Sequence, residues 1–213
     1  MNIELPVSLG EAIDKLTILD IKCQKITDNR KIDVQKEYDI LYEKLNKFIE
    51  KHNELYISMK KVNLIIWDQM DILRDGSTSD EEYMKLCRKC IETNDIRFRI
   101  KNKINLISNS HLKEQKSYKI NRLIIELNCN EEYFHLFIEP IKYLSYVYDE
   151  IIINHLGNIN LIKDTFYYDN TIKYNIELIE LEIKQRFNFQ NDCYTITEIY
   201  KIMNINEDII KLF

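Results

Sequence analysis

The sequence predicts an α+β protein in two parts. Residues 1–118 form a long antiparallel helical hairpin of the coiled-coil kind, with a first helix packed on it. Residues 119–213 form a small α/β unit of strand–helix–strand–helix–strand order. Three observations carry this. An apolar seam runs in alternating steps of four and three through Val34, Tyr38, Leu41, Leu45, Phe48, His52, Leu55, Met59, Val62, Ile66, Gln69 and Leu73. Gly76-Ser-Thr-Ser-Asp80 breaks the helical pattern before a second long helical stretch. Beyond Ser108-Asn-Ser110, short β-branched runs replace helical periodicity. The competing expectation is an all-α chain, helical after residue 118 as well.

The first helix starts at Ser8, with Glu11 three residues on in the pattern of a capping box, and runs to Lys25. Ile13, Leu16, Ile18, Leu19 and Ile21 wrap more than one face, so it packs against two neighbours. Thr27 to Lys31 is polar and makes the turn. The seam then predicts one unbroken supercoiling helix to about Asp75, since a repeat of 3.5 residues held this long faces partner helices. It would span about 60 Å. His52 and Gln69 are its polar interruptions, and a polar seam residue can fix register or oligomer state. The next helix runs from about Asp80 to Ile107. Cys87 and Cys90 lie on its apolar stripe with Tyr83, as small core residues rather than ligands.

In the second part, Arg122–Leu127 and Glu150–Asn154 predict buried strands. Between them Asn130 caps an amphipathic helix carrying Tyr133 to Val147, with Pro140 as a kink site by its missing N–H. Asn158 to Tyr168 predicts a short helix, Thr171 to Ile176 a third strand, and Thr195 to Met203 a last helix. Strands alternating with helices predict parallel crossovers.

Composition narrows the function classes. The 30 basic and 35 acidic residues are mixed along the chain and leave a net charge of −5, so no basic block points to nucleic acid. No apolar run is long enough to cross a bilayer, and the first residues lack a signal-peptide pattern. Five cysteines without framework spacing predict a reducing, cytoplasmic setting. The four histidines have no ligand spacing, and no nucleophile elbow, P-loop or Ser-His-Asp pattern occurs. No catalytic residue, metal site or cofactor is therefore assigned.

Three i, i+3 carboxylate pairs, Glu11/Asp14, Asp68/Asp71 and Glu92/Asp95, could each hold Mg²⁺ on a helix face. An unbroken second helix keeps them apart. With turns at Thr27–Asp33 and Gly76–Ser79, Asp14 lies level with Asn46 and Asp95 with Lys60, while Asp71 is near the tip. The first and last of these levels are about 37 Å apart. One cluster survives at the hairpin's base: Glu11 and Asp14 level with Arg97, Lys101 and Asn105. Paired charges there specify register, or bind an anionic sugar or nucleotide. Trp67, Asp68 and Arg74 form a separate group near the tip, with Trp67 as a core or interface anchor.

Two segments carry a resemblance. Gly10 to Lys22, Leu64 to Asp71 with Arg74, Thr93 to Arg97 with Lys101 and Asn105, and Glu114 to Tyr118 together resemble an uncharacterised family of short helical bacterial proteins. Its genes tend to lie beside those for surface polysaccharide and glycosyltransferases. Residues 120–213 more faintly resemble a truncated Rossmann-like half of a nucleotide-sugar glycosyltransferase, through Ile141 to Asp149, Glu150 to Asn154 and Asp164 to Asp169. The position of the Gly-rich turn in those enzymes reads Asn128-Cys129-Asn130 here.

Together these give a non-catalytic accessory or scaffold protein of glycan synthesis, a homodimer through its hairpin with a possible glycosyltransferase partner. The alternative is a nucleotide-sugar binder or Mg²⁺-dependent enzyme. Its ligand residues would be Glu11, Asp14, Lys15, Arg97, Lys101, Asn105 and Lys116, with Trp67, Asp68 and Arg74 as an interface or secondary site.

Overall fold

The computed structural model describes residues 5–117, 119–175, 186–189 and 195–212. The chain is α+β and divides into two compact units between Gln115 and Lys116. The first unit is helical: α1 (Leu9–Lys25), α2 (Arg30–Lys51), α3 (Asn53–Asp75) and α4 (Asp80–Ile107). Ser8 caps α1 by accepting from the Glu11 N–H at 3.1 Å. Gly76, with φ of 70°, ends α3 in the left-handed region that glycine adopts without strain. Ser79 and Glu82 then open α4 with a reciprocal capping box.

The unbroken 60 Å helix is overturned. The chain leaves helical geometry at His52 (φ −130°, ψ 46°), and α2 and α3 are separate helices. Adjacent residues of α1 show how far the chain turns. Asp14 bonds Asn63 on α3, while Lys15 bonds Glu37 on α2. On a straight helix those two partners would stand about 39 Å apart. Tyr38 and Tyr56, about 27 Å apart on such a helix, lie close enough for each phenol to act on the other. The chain therefore folds back, and α1 packs against α2, α3 and α4 rather than two neighbours.

The break disturbs little. The His52 N–H still donates to the Phe48 carbonyl at 2.9 Å, and its own carbonyl accepts from Leu55 at 3.1 Å. His and Asn, at 52 and 53, are poorer helix formers than the residues around them. What drives it is burial. Leu45 and Ile49 of α2, and Leu55, Met59 and Val62 of α3, are buried together with Ile13, Leu16, Leu19 and Ile21 of α1. A fully buried aliphatic side chain contributes about 1.5–3 kcal/mol, which a single protruding helix would forgo. No seam residue from Val34 to Leu73 is exposed. The seam marks the inward face, but of two helices.

The α3–α4 pair is antiparallel, as Gln69 to Thr93 at 3.2 Å and Cys90 to Met70 at 3.9 Å record. Contacts between Gly10 and Asn105, and between Asp14 and Arg97, likewise set α1 antiparallel to α4.

The second unit holds a four-stranded parallel sheet in the order β3-β2-β1-β4, from β1 (Arg122–Leu127), β2 (Glu150–His155), β3 (Ile172–Asn175) and β4 (Arg186–Asn188). Position 176, where the third expected strand ends, lies outside the described residues. One sheet face packs on Phe134, Phe137, Ile141, Ile162 and Ile199. The single helix expected from Asn130 is instead a 3-10 segment, Glu131–Phe137, followed by α5 (Ile138–Leu144). Asn130 does not cap it and donates to Glu132 instead. The change of helix type brings Pro140 into the first turn of α5, where an N–H has no intrahelical acceptor in any case. The later helices are α6 (Asn160–Thr165), α7 (Ile196–Ile202) with a Thr195/Glu198 capping box, and α8 (Glu207–Ile210).

Candidate functional site

The polar residues predicted at the base of the helical unit meet where α1 runs against α4 and α3. Gly10 permits the approach. A Cβ there would lie 2.5 Å from the Lys101 carbonyl oxygen and 2.9 Å from Asn105 Oδ1. The Gly10 N–H donates to that Asn105 oxygen at 2.7 Å, so the buried amide ties the two helices by backbone and side chain together.

One turn further along α1, Asp14 is 2% exposed. Arg97 grips it with both arms of its fork, Nε to Oδ1 at 2.8 Å and Nη2 to Oδ2 at 2.6 Å. Asn63 on α3 donates to the same Oδ1 at 2.9 Å and to Thr17 Oγ1 at 2.9 Å. Thr17 in turn donates to the Asp14 carbonyl. Bidentate charge-assisted pairing of this kind is strong and directional, and here it joins three helices. The Asp14 carboxylate raises the Arg97 pKa further above its ordinary value. Lys101 lies between Glu11 at 3.1 Å and Glu114 at 2.5 Å. Burial works against its charge, but the two carboxylates outweigh it and hold its pKa above the ordinary value.

Glu11, Asp14, Arg97, Lys101 and Asn105 are thus brought together, and other residues depart from the expected set. Lys15 points away from Asp14 and pairs with Glu37 at 2.6 Å on the surface. Lys116 belongs to the second unit, and Tyr118 of its motif lies outside the described residues. Near the tip, Asp68 turns to Lys25 at 3.0 Å rather than to Arg74, which is exposed, while Trp67 is half-buried. Asp14 meets Asn63 instead of lying level with Asn46, because the fold-back at His52 replaces α2 by α3 on that side of α1.

The fold-back also removes the distance argument against a shared metal. Cations take that place: Arg97 neutralises Asp14 and Lys101 neutralises Glu11. Among the described residues, no three His, Cys, Asp or Glu side chains gather as a metal-ligand group.

Sequence reasoning misses a second polar cluster. Asp20 accepts from Tyr56 Oη at 2.9 Å and pairs with Lys60 at 2.7 Å. Burial and the neighbouring Asp20 push the Tyr56 pKa up, so the phenol stays a donor. It misses Asn63 too. The available signal is the stripe Asp14, Thr17, Asp20, Gln24 along α1, polar residues at steps of three and four on a helix whose apolar residues wrap more than one face. A cleft of about 510 Å³ opens beside this region between Pro6–Ala12 and Ser108–Leu112.

A model of a protein family described as a family of unknown function, DUF6165, matches residues 1–129. The chain belongs to that family. The match takes in the helical unit with Glu11, Asp14, Arg97 and Lys101, and ends at Cys129 just beyond β1. No curated protein and no solved structure matches the chain. No described helix is long and apolar enough to cross a membrane.

Proposed function

We propose that the helical unit is a non-catalytic scaffold that associates with a second copy of the chain and serves glycan synthesis beside a glycosyltransferase. One observation supports the non-catalytic reading above the others: the charges at the candidate site close on one another. Asp14 carries three hydrogen bonds, with Arg97 and Asn63, and Lys101 is shared by Glu11 and Glu114. A general acid, base or metal ligand needs an open valence toward substrate. A satisfied, buried ion pair between helices has register specification as its best attested use.

Self-association is supported by the far half of α3 and α4. Before Thr93, α4 buries no described residue, and Tyr83, Met84 and Ile91 are 43%, 55% and 64% exposed. Ile72 on α3 is 47% exposed. The link to glycan synthesis rests on the resemblance of the motif-bearing segments alone. The finer architecture belongs to the same proposal: a coiled-coil character for the hairpin and a Rossmann-like character for the parallel sheet, supported by its strand order.

A thermal-shift series with UDP-, GDP- and CMP-sugars, each with and without Mg²⁺, tests the reading against its rival. No stabilisation that depends on the base cluster is expected. Stabilisation abolished by Arg97→Gln, in a variant shown to be folded, would assign the cluster to a ligand. Light scattering at micromolar concentration is expected to give a dimer that Met84→Glu/Ile91→Glu dissociates, and a monomeric wild type removes the self-association.

A further inference from the structure

A parallel sheet buried on both faces is apolar on both, and this one is not. The strand registers set Glu126 beside Asn154 and Asn188, and Asn154 beside Asn175. In-register neighbours on parallel strands project from the same face. These four residues therefore form one row across the sheet, in the order Asn175, Asn154, Glu126, Asn188, on the face opposite the aromatic core. The row lies at the carboxyl ends of the strands.

Sheet topology singles out that end. From β1 the chain adds β2 and β3 on one side, then returns to place β4 on the other. In open parallel sheets the crevice outside the carboxyl ends at such a reversal is where ligands bind. The hydrogen-bonding inventory points to the same place. Asn154 is 1% exposed; its carbonyl accepts from Asn175 at 3.5 Å, while its amide Nδ2 is buried with no acceptor among the described residues. Buried polar atoms are nearly always satisfied, so the orphaned Asn154 amide marks a position on this face that expects a partner.

The residues present also define that partner. The charged groups of this face are already matched, Glu126 with Arg186, and Glu150 with Arg122 and Lys173. What remains of the row at the edge is uncharged amide, and the carboxylates of the adjoining loop are taken up locally, Glu131 by the Asn158 N–H and Glu132 by Asn130. Asn128 and Asn188, joined at 2.9 Å, are exposed, and Asn175 is half-buried. Amides offer donors and acceptors side by side, which suits hydroxyl groups and does nothing to neutralise a phosphate. We propose that the carboxyl edge of the sheet binds a neutral, hydroxyl-rich ligand of the sugar or polyol class. Asn128, Asn175 and Asn188 contact its accessible side and the Asn154 amide donates from the floor. The site lies wholly in the second unit and is independent of the scaffold reading of the first.

The test is side-chain amide NMR of the full chain labelled with ¹⁵N at asparagine. The titrants are D-glucose and N-acetyl-D-glucosamine at millimolar concentrations, with inorganic phosphate in a separate arm. Asn188→Ala and Asn128→Ala assign the edge signals at exposed positions where folding is safe, and Asn154→Ala follows if it folds. The sugars are expected to shift the edge amides with saturation, and Asn188→Ala to weaken binding by about 10-fold. The proposal falls if neither sugar moves an edge amide, if the concentration that half-saturates the shifts is unchanged in both exposed variants, or if phosphate moves these signals and the sugars do not.

Discussion

Removing Asp14 and Arg97 singly and together measures how much of the helical unit rests on their pair. Asp14→Ala leaves the Arg97 guanidinium without its two bonds at 2.8 and 2.6 Å. Breaking a buried pair from one side costs about 3–5 kcal/mol, because an uncompensated charge stays behind. The Arg97 side chain retains 25% exposure, so partial rehydration places the loss at the lower end, about 3 kcal/mol. Arg97→Ala strands Asp14, whose side chain is only 3% exposed, and is the costlier change. The double variant strands neither charge, so it is expected to be more stable than the sum of the single losses implies, by a coupling of about 1.5–3 kcal/mol. Trp67, the sole tryptophan, lies on α3, so its fluorescence in urea follows the helical unit without signal from the second. A coupling below about 0.5 kcal/mol, the scatter of independent sites, would refute a structural lock at this position.

Gly10→Ala is expected to destabilise the helical unit by about 1–2 kcal/mol. The clash with the Lys101 carbonyl costs more than the roughly 1 kcal/mol that alanine adds in helix propensity; a raised Tm for the variant contradicts the close approach. His52 has its pKa lowered by burial and by Lys51. The folded state therefore binds this proton less readily than the unfolded one. That contribution is complete above the unfolded value near 6.5 and declines as pH falls through it. Urea midpoints of the Trp67 transition between pH 8 and 5 should fall, and His52→Gln should flatten the component; an identical profile in the variant rejects it. Burial raises the Glu150 pKa, but Lys173 and Arg122 outweigh it and hold the carboxyl below its ordinary value. Its contribution is present above about pH 4.5 and lost as pH falls through the folded value. Glu150→Gln should remove that part of the acid sensitivity in the circular dichroism of the sheet-bearing unit, and unchanged acid unfolding would contradict the pairing.

Much of the helical unit is legible in the sequence because its signals are local. Ser8, Gly76 and Ser79 act within one turn of themselves, and α1, the loop at Gly76 and α4 follow from them. The seam reports which face of the chain is buried, and that too is a local property of spacing. It is blind to a one-residue break that preserves the inward face, since the seam residues before and after His52 face inward whether or not the axis bends. Spacing supplies only a straight ruler for matching partners. That ruler pairs Asp14 with Asn46, while the folded chain gives it Asn63.

The site divides in the same way. Spacing along the chain is enough to mark Glu11, Asp14, Arg97, Lys101 and Asn105 as the polar residues of an otherwise apolar contact, because burial of a helix face follows from period. That these charges close on one another is a property of the assembled helices. The fold-back at His52 brings α3 against α1 and supplies Asn63, and ion pairing depends on ångström distances that spacing along one helix does not encode. In the second unit, Arg122–Leu127 and Glu150–Asn154 are readable as strands from composition. The row Asn175, Asn154, Glu126, Asn188 exists only through strand order and register, since its members come from four separate segments of the chain. Which backbone edges pair is set by the whole unit's packing, and no segment carries that information alone.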